Sequence, residues 1–247
     1  MKMSRFFVFV VVLAIERIAV AVSLMCPDAK TTPDVRERNR WMELHEKRLA
    51  EIAAAGGSYD FVLIGDSITY NWRHEKAKGK WGERPLGRKV AEKEFAGKKW
   101  LNLGVGGDGI RQALWRCLNG ELDGYRTPVI GVLIGTNNHG SPDDDIVLGI
   151  AHLLGVIRAK HPESKILLQP VLPRMPKPDD KEDLRKKFDR INARLKLLAD
   201  GETIVWLDWT SKLLRPDGSV NDELMLDAVH PAGGYAEWAK ALKPYLK

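Results

Sequence analysis

Ser67 follows Gly65-Asp66 in this 247-residue chain, and Asp227-Ala228-Val229-His230 lies near its C-terminal end. A serine hydroxyl is a weak nucleophile at neutral pH unless a neighbouring base takes its proton. An acid three residues before a histidine can sit within one turn of backbone. Asp227 can then hold one imidazole nitrogen of His230 while the other faces Ser67. Such a set performs acyl transfer: His230 takes the serine proton and later gives it to the leaving group. The reaction also needs donors aimed at the developing oxyanion. The backbone N–H groups of Ser67 and Gly107 and the side-chain amide of Asn137 are the candidates, with Asp66 in support. Each residue alone has a plainer reading. Asp66 and Ser67 are favoured helix caps, Asp227 and His230 can bond backbone within a loop, and Asn137 can cap the helix that opens near Pro142.

The elements that must position these residues tip the balance. Phe61 to Ile64 is a short apolar run after a Gly-rich segment, which reads as a buried strand ending at Gly65-Asp66-Ser67. Trp100 to Leu103 is a second strand, followed by Gly104-Val105-Gly106-Gly107-Asp108-Gly109. Val129 to Ile134 is a third, running into Gly135-Thr136-Asn137-Asn138-His139. Lys165 to Gln169 and Thr203 to Leu207 supply a fourth and a fifth. Between them the spacing predicts helices over Trp41–Ala55, Ile110–Asn119, Pro142–Lys160, Asp183–Leu198 and Ala232–Leu246. Pro27 to Arg40 reads as a polar surface arm, and Trp72 to Gly97 as a loop with a short helix. Strands alternating with helices imply a parallel sheet covered on both faces, with ligands at the carboxyl ends of the strands. Ser67, Gly107 and Asn137 stand at three successive strand ends, where the plainer readings would have to coincide.

Gly65-Asp66-Ser67, Gly107, Gly135-Thr136-Asn137-Asn138 and Asp227-x-x-His230 resemble, in order, the four blocks of the SGNH (GDSL-type) hydrolases. Asn102-Leu103-Gly104-Val105-Gly106-Gly107-Asp108 and Leu114-Trp115-Arg116-x-x-Asn119-Gly120-Glu121-Leu122 are most similar to the catalytic subunits of platelet-activating-factor acetylhydrolase. The resemblance implies a three-layer α/β/α sandwich whose five-stranded parallel sheet has flavodoxin-like order. It also implies a serine esterase without metal or cofactor: Ser67 as nucleophile, Asp227 and His230 as its partners, and Ser67, Gly107 and Asn137 as oxyanion hole. Exported relatives of this architecture often remove acetyl groups from sugars, whereas the animal subunits act on a phospholipid acetyl ester. The substrate expected here is therefore a short acyl ester, acetyl above all, on a carbohydrate or other small molecule. A phospholipid acetylhydrolase or lysophospholipase is the alternative, and a catalytically inactive carbohydrate-binding module is the reading from another class.

Composition narrows the partners. The chain is 44% hydrophobic and 29% charged with a formal charge of +6, ordinary for a globular protein with a sizeable core. No basic stripe with interleaved aromatics marks a nucleic-acid surface. Cys26 and Cys117 lack metal-ligand spacing, and nothing requires them to pair. Trp72, Trp81 and Trp115 have the spacing of core aromatics, and the oligomeric state is not legible. Lys2 and Arg5 precede the apolar run Phe6 to Ile15, and Ala19-Val20-Ala21 offers a cleavage site. Residues 1–21 thus read as a signal peptide, interrupted by Glu16-Arg17, with export to the periplasm or outside and no stable membrane span after processing, a retained N-terminal anchor being the alternative. Residues 22–57 are then an arm and helix, and 58–247 one hydrolase domain. Gly104-x-Gly106-x-x-Gly109, with Glu121 and Asp123 downstream, formally matches a dinucleotide-binding loop. It follows the second strand instead of the first, which argues against that use.

Overall fold

The computed structural model of the protein describes residues 35–77, 85–176 and 182–246, with side chains from residue 40. Five strands form its centre: β1 (Phe61–Gly65), β2 (Trp100–Gly104), β3 (Val129–Leu133), β4 (Lys165–Leu168) and β5 (Ile204–Trp206). They pair in the order β2-β1-β3-β4-β5, every pair parallel. This is the flavodoxin-like doubly wound order. Every residue of β1 and β3 is buried, as expected of strands covered on both faces.

Alternate side chains of each strand enter different layers. Val62, Ile64, Ile130 and Val132 face a core shared with α1 (Val35–Ala55), α4 (Ile110–Arg116), α5 (Asp143–Lys160) and α6 (Leu184–Leu195). Phe61, Leu63 and Leu133 face the other way, against α3 (Gly87–Glu94) and α7 (Gly234–Leu242). The result is an α/β/α sandwich. A short helix, α2 (Ser67–Tyr70), lies directly on the strand ends. Its close approach requires glycine beneath it: a Cβ on Gly65 would come within 2.1 Å of Thr69 Oγ1, and one on Gly104 within 2.3 Å of Tyr70 N.

Some boundaries depart from the sequence expectation. α1 begins at Val35, so the surface arm expected over Pro27 to Arg40 is helical from that point. Val35 to Arg40 has no apolar stripe, but Arg and Glu are good helix formers and extend a helix anchored further along. α4 stops at Arg116 and gives way to a π-type turn over Cys117–Glu121, because Asn119 and Gly120 (φ 107°) leave helical geometry. The last helix is also shorter than expected, starting at Gly234 and passing into a 3-10 turn at Lys243–Tyr245. Cys117 is a buried free thiol. Cys26, Trp81 and the leader segment lie outside the described residues. Among the described residues, no helix is long and apolar enough to cross a membrane.

Candidate active site

Ser67 is the first residue of α2, immediately beyond the end of β1. Its Oγ lies 2.8 Å from His230 Nε2. The other ring nitrogen, Nδ1, is 2.9 and 3.0 Å from the two carboxylate oxygens of Asp227. Asp227 Oδ1 also accepts the backbone N–H groups of Val229 (2.7 Å) and His230 (2.8 Å), so the acid wraps its own loop. That loop is closed further by Leu226 N–H to His230 O and by Ala232 N–H to Leu224 O, each 2.7 Å. Met175 N–H reaches Ala228 O at 3.0 Å and ties it to the segment beyond β4. Tyr235, fully buried on α7, donates its hydroxyl to Ile68 O at 2.7 Å and so links the serine turn to the helix that follows His230.

The electrostatics differ between the two acids near the serine. Burial alone would raise the Asp227 pKa. Hydrogen bonds from the His230 ring and from the backbone N–H groups of His230 and Val229 outweigh it, and the carboxyl is held at about 2. Asp66 is fully buried, and burial pushes its carboxyl up to about 7 against the pull of the Ile68 N–H and of His230. Its Oδ1 accepts the Ile68 N–H at 2.9 Å, capping α2.

The opposite rim is built from two neighbouring strand ends. Gly107 is exposed with φ 82°, a conformation that favours glycine. Asn137 sits in a 3-10 turn after β3, and its Nδ2 donates to Asp108 O at 2.8 Å. One amide hydrogen is thereby fixed, leaving the second to point elsewhere. As the first residue of α2, Ser67 has a backbone N–H without an intrahelical acceptor. The next asparagine, Asn138, is the one that caps a helix: its Oδ1 accepts the Ile110 N–H at 3.0 Å, at the start of α4.

Behind this rim lies a group of buried charges. Arg116 Nε is 2.9 Å from Asp108 Oδ2, and its other guanidinium arm bonds Glu121. Glu121 Oε1 is 2.9 Å from His45 Nδ1 on α1, and Trp41 Nε1 donates to Asp108 Oδ1 at 2.7 Å. Burial alone would lower the Arg116 pKa, but Glu121 and Asp108 outweigh it and hold the guanidinium firmly charged. Burial pushes the Asp108 carboxyl up to about 6, against the pull of Arg116 and Trp41. The sequence places Asp108, Arg116 and Glu121 in the motifs that carry the resemblance, but nothing in it shows that they bond one another and His45. Glu121, the candidate ribose acid of a dinucleotide site, is buried against Arg116 and His45 instead. Asp123 pairs with Lys160 at 2.6 Å.

Residues 63–235 match the model of the GDSL-like lipase/acylhydrolase family. The chain belongs to that family. This acylhydrolase is 31% identical over 224 residues to platelet-activating factor acetylhydrolase IB subunit alpha1 of Pongo abelii, covering 89% of each chain. It is 31% identical over 211 residues to the human alpha2 subunit, covering 85% of this chain and 84% of that one. Its fold matches a GDSL-like lipase from Bacteroides thetaiotaomicron with a TM-score of 0.63 at 20% identity, over 82% of this chain and 96% of the other. An acetyl xylan esterase, AlAXEase, matches with a TM-score of 0.56 at 18% identity, over 74% and 96%. By family the protein is a carboxylic ester hydrolase. The residues singled out in the sequence sit at the ends of β1, β2 and β3 and on the loop before α7. Of the tryptophans considered there, Trp72 is buried among Phe95, Tyr235 and Trp238, and Trp115 packs on Trp41 and His45.

Proposed function

We propose that this acylhydrolase is a short-chain serine esterase that removes acetyl groups from a carbohydrate or other small alcohol. The observation that carries the reading is the relay from Ser67 Oγ through His230 to Asp227, at 2.8 and 2.9 Å. His230 Nε2 accepts the Ser67 proton as Oγ attacks the ester carbonyl. The negative charge that forms on the carbonyl oxygen is met by the N–H groups of Ser67 and Gly107 and by the Asn137 amide. Collapse of the intermediate breaks the bond to the alcohol, which leaves with the proton from His230. Water, deprotonated by the same imidazole, then attacks the acyl-serine, and the acid is released with Oγ reprotonated. Asp227 stays ionised throughout and fixes the ring, consistent with its depressed pKa of about 2. Asp66 supports the serine turn as its cap. Neither metal nor cofactor enters any step.

The similarity to platelet-activating factor acetylhydrolase subunits favours acetyl as the acyl group and supplies the second reading, a phospholipid acetyl ester. For the leader, we propose that residues 1–21 direct export and are removed, leaving an arm and helix before one hydrolase domain. The mass of the protein recovered outside the cytoplasm tests that. Hydrolysis of p-nitrophenyl acetate, butyrate and octanoate tests the chemistry. Rates that fall with chain length and vanish in Ser67→Ala are expected. Equal activity in Ser67→Ala, or none on any ester, overturns the reading in favour of a binding module.

A further inference from the structure

A cavity of about 620 Å³ opens beside the oxyanion side of the site. Its floor is Val105-Gly106-Gly107, Tyr70 of the serine turn and Gln112 form one wall, and α1 forms the other. The α1 face it receives carries Arg40, Glu43, Leu44 and Lys47, with Trp41 beside them. These positions are three or four residues apart and project from one side of a helix. The volume falls within the range of small-molecule sites, about 300–1,000 Å³.

Two considerations fix what belongs there. If the functional reading holds, the ester's carbonyl oxygen rests about 3 Å from the Gly107 N–H. The bound molecule therefore stands at the mouth of this cavity. An acetyl group is far too small to fill it, so the remainder of the substrate must. The lining then decides the chemistry: Trp41, Leu44 and Val105 give an apolar patch that the C–H face of a sugar ring can cover, and polar groups stand around it. Arg40 and Lys47 offer only donors, Glu43 only acceptors, and the Tyr70 hydroxyl and Gln112 amide offer both. An alkyl chain would strip water from these groups and replace none of their hydrogen bonds. A hydroxyl-rich alcohol can donate to Glu43 and accept from Arg40 and Lys47 at once.

We propose that this cavity binds the sugar moiety of an acetylated carbohydrate, and that Arg40, Glu43 and Lys47 on α1 determine specificity for it. The proposal rests on the esterase reading and adds the place where the sugar binds and the residues that select it. α1 is thereby a working wall of the site, held in place by Trp41 on Asp108 and His45 on Glu121.

The test compares a mono-acetylated xylo-oligosaccharide, an acetylated ether phospholipid and p-nitrophenyl acetate in wild-type protein and in Arg40→Met/Glu43→Leu/Lys47→Met. All three positions are exposed, and Glu43→Gln alone serves should the triple variant fail to fold. The wild type is expected to prefer the sugar acetate to the phospholipid. In the triple variant, kcat/KM for the sugar acetate relative to p-nitrophenyl acetate should fall about tenfold, through KM, as expected for losing one or two hydrogen bonds. Glu43→Gln should lower the same ratio less. A wild type that hydrolyses p-nitrophenyl acetate yet prefers the phospholipid overturns the proposal and leaves the esterase intact. An unchanged ratio in the variants does the same. No hydrolysis of any ester by the wild type removes the reading beneath it.

Discussion

The two sides of the Gly107-Asp108 peptide face opposite environments. On the outer side Ser67, Gly107, Asn137 and His230 are exposed or half-buried, and short loops at strand ends hold them. On the inner side Asp108, Arg116, Glu121 and His45 are almost wholly buried and bonded to one another in a continuous chain. Among these four outer groups only Ser67 and His230 bond each other, and the rest stay open to solvent. The inner groups are satisfied by each other and can set the position of the loop they share. Asp108 spans both: its side chain belongs to the ion network, and its carbonyl takes one hydrogen of the Asn137 amide. The Asn137 amide is thus held by a residue of the ion network, as the proposed mechanism requires of a donor that must not relax during reaction.

The largest effect should come from the outer side. Asp227→Asn keeps an oxygen to accept the Val229 and His230 N–H groups, so the loop should keep its shape. It replaces the carboxylate that faces Nδ1, and kcat is expected to fall about 10⁴-fold with little change in Tm. A fall of less than tenfold would mean that Asp227 shapes a loop and nothing more. Arg116→Met probes the inner side. It leaves Asp108 and Glu121 buried without their cation, and a loss of about 3–5 kcal/mol in unfolding free energy is expected by urea denaturation. A loss below about 1 kcal/mol would show that the network relaxes or takes in water. Asn137→Ala lies between the two regions. Removing one oxyanion donor should lower kcat about 10²–10³-fold while KM for p-nitrophenyl acetate stays close to that of the wild type. A KM effect without a kcat effect would make Asn137 a ground-state contact.

The outer region was legible in the sequence, and the inner one was not. Phe61 to Ile64 and Val129 to Ile134 are apolar without interruption because both faces of a central parallel strand are covered. The residues next in the chain after such a run must therefore stand at the sheet's carboxyl edge. Order and spacing sufficed to bring Ser67, Gly107 and Asn137 to adjacent strand ends. Asn137 was the candidate donor in the sequence; in the structure its amide bonds Asp108 O, whereas Asn138 accepts the Ile110 N–H and caps α4. Asp108, Arg116 and Glu121 stand in the two motifs that carry the resemblance, but a motif does not say that they bond one another or His45, since the four come from α1, the β2–α4 loop, α4 and the turn beyond. The signal in the sequence was Gly120, a helix-stop residue directly before Glu121. The cavity wall on α1 was hidden too, because Arg40 read as part of a surface arm and nothing in the sequence set Glu43 and Lys47 apart.

The smallest effect expected separates the two buried acids by pH. Asp66 is raised to about 7 and Asp108 to about 6, both chiefly by burial. A carboxyl whose folded pKa exceeds its ordinary 3.8 holds its proton more tightly in the folded state. Its contribution to stability is therefore greatest at low pH and declines as pH rises from that ordinary value to the folded one. Asp227, held at about 2, has the opposite sign: its contribution is present above the ordinary value and lost as pH falls toward 2. Between pH 6 and 7 the remaining downward slope belongs mainly to Asp66, which faces Asp108 and His230 and shares its surroundings with Tyr235. Asp66→Asn keeps an oxygen for the Ile68 N–H and cannot ionise. Its Tm should change less than that of the wild type between pH 6 and 7, while both proteins keep the part of the slope due to Asp108 between pH 5 and 6. Parallel Tm curves for wild type and Asp66→Asn would show that Asp66 is already ionised in the folded protein. The cap of the serine turn would then carry a full charge beside His230, and burial would not raise it as it raises Asp108 in the inner network.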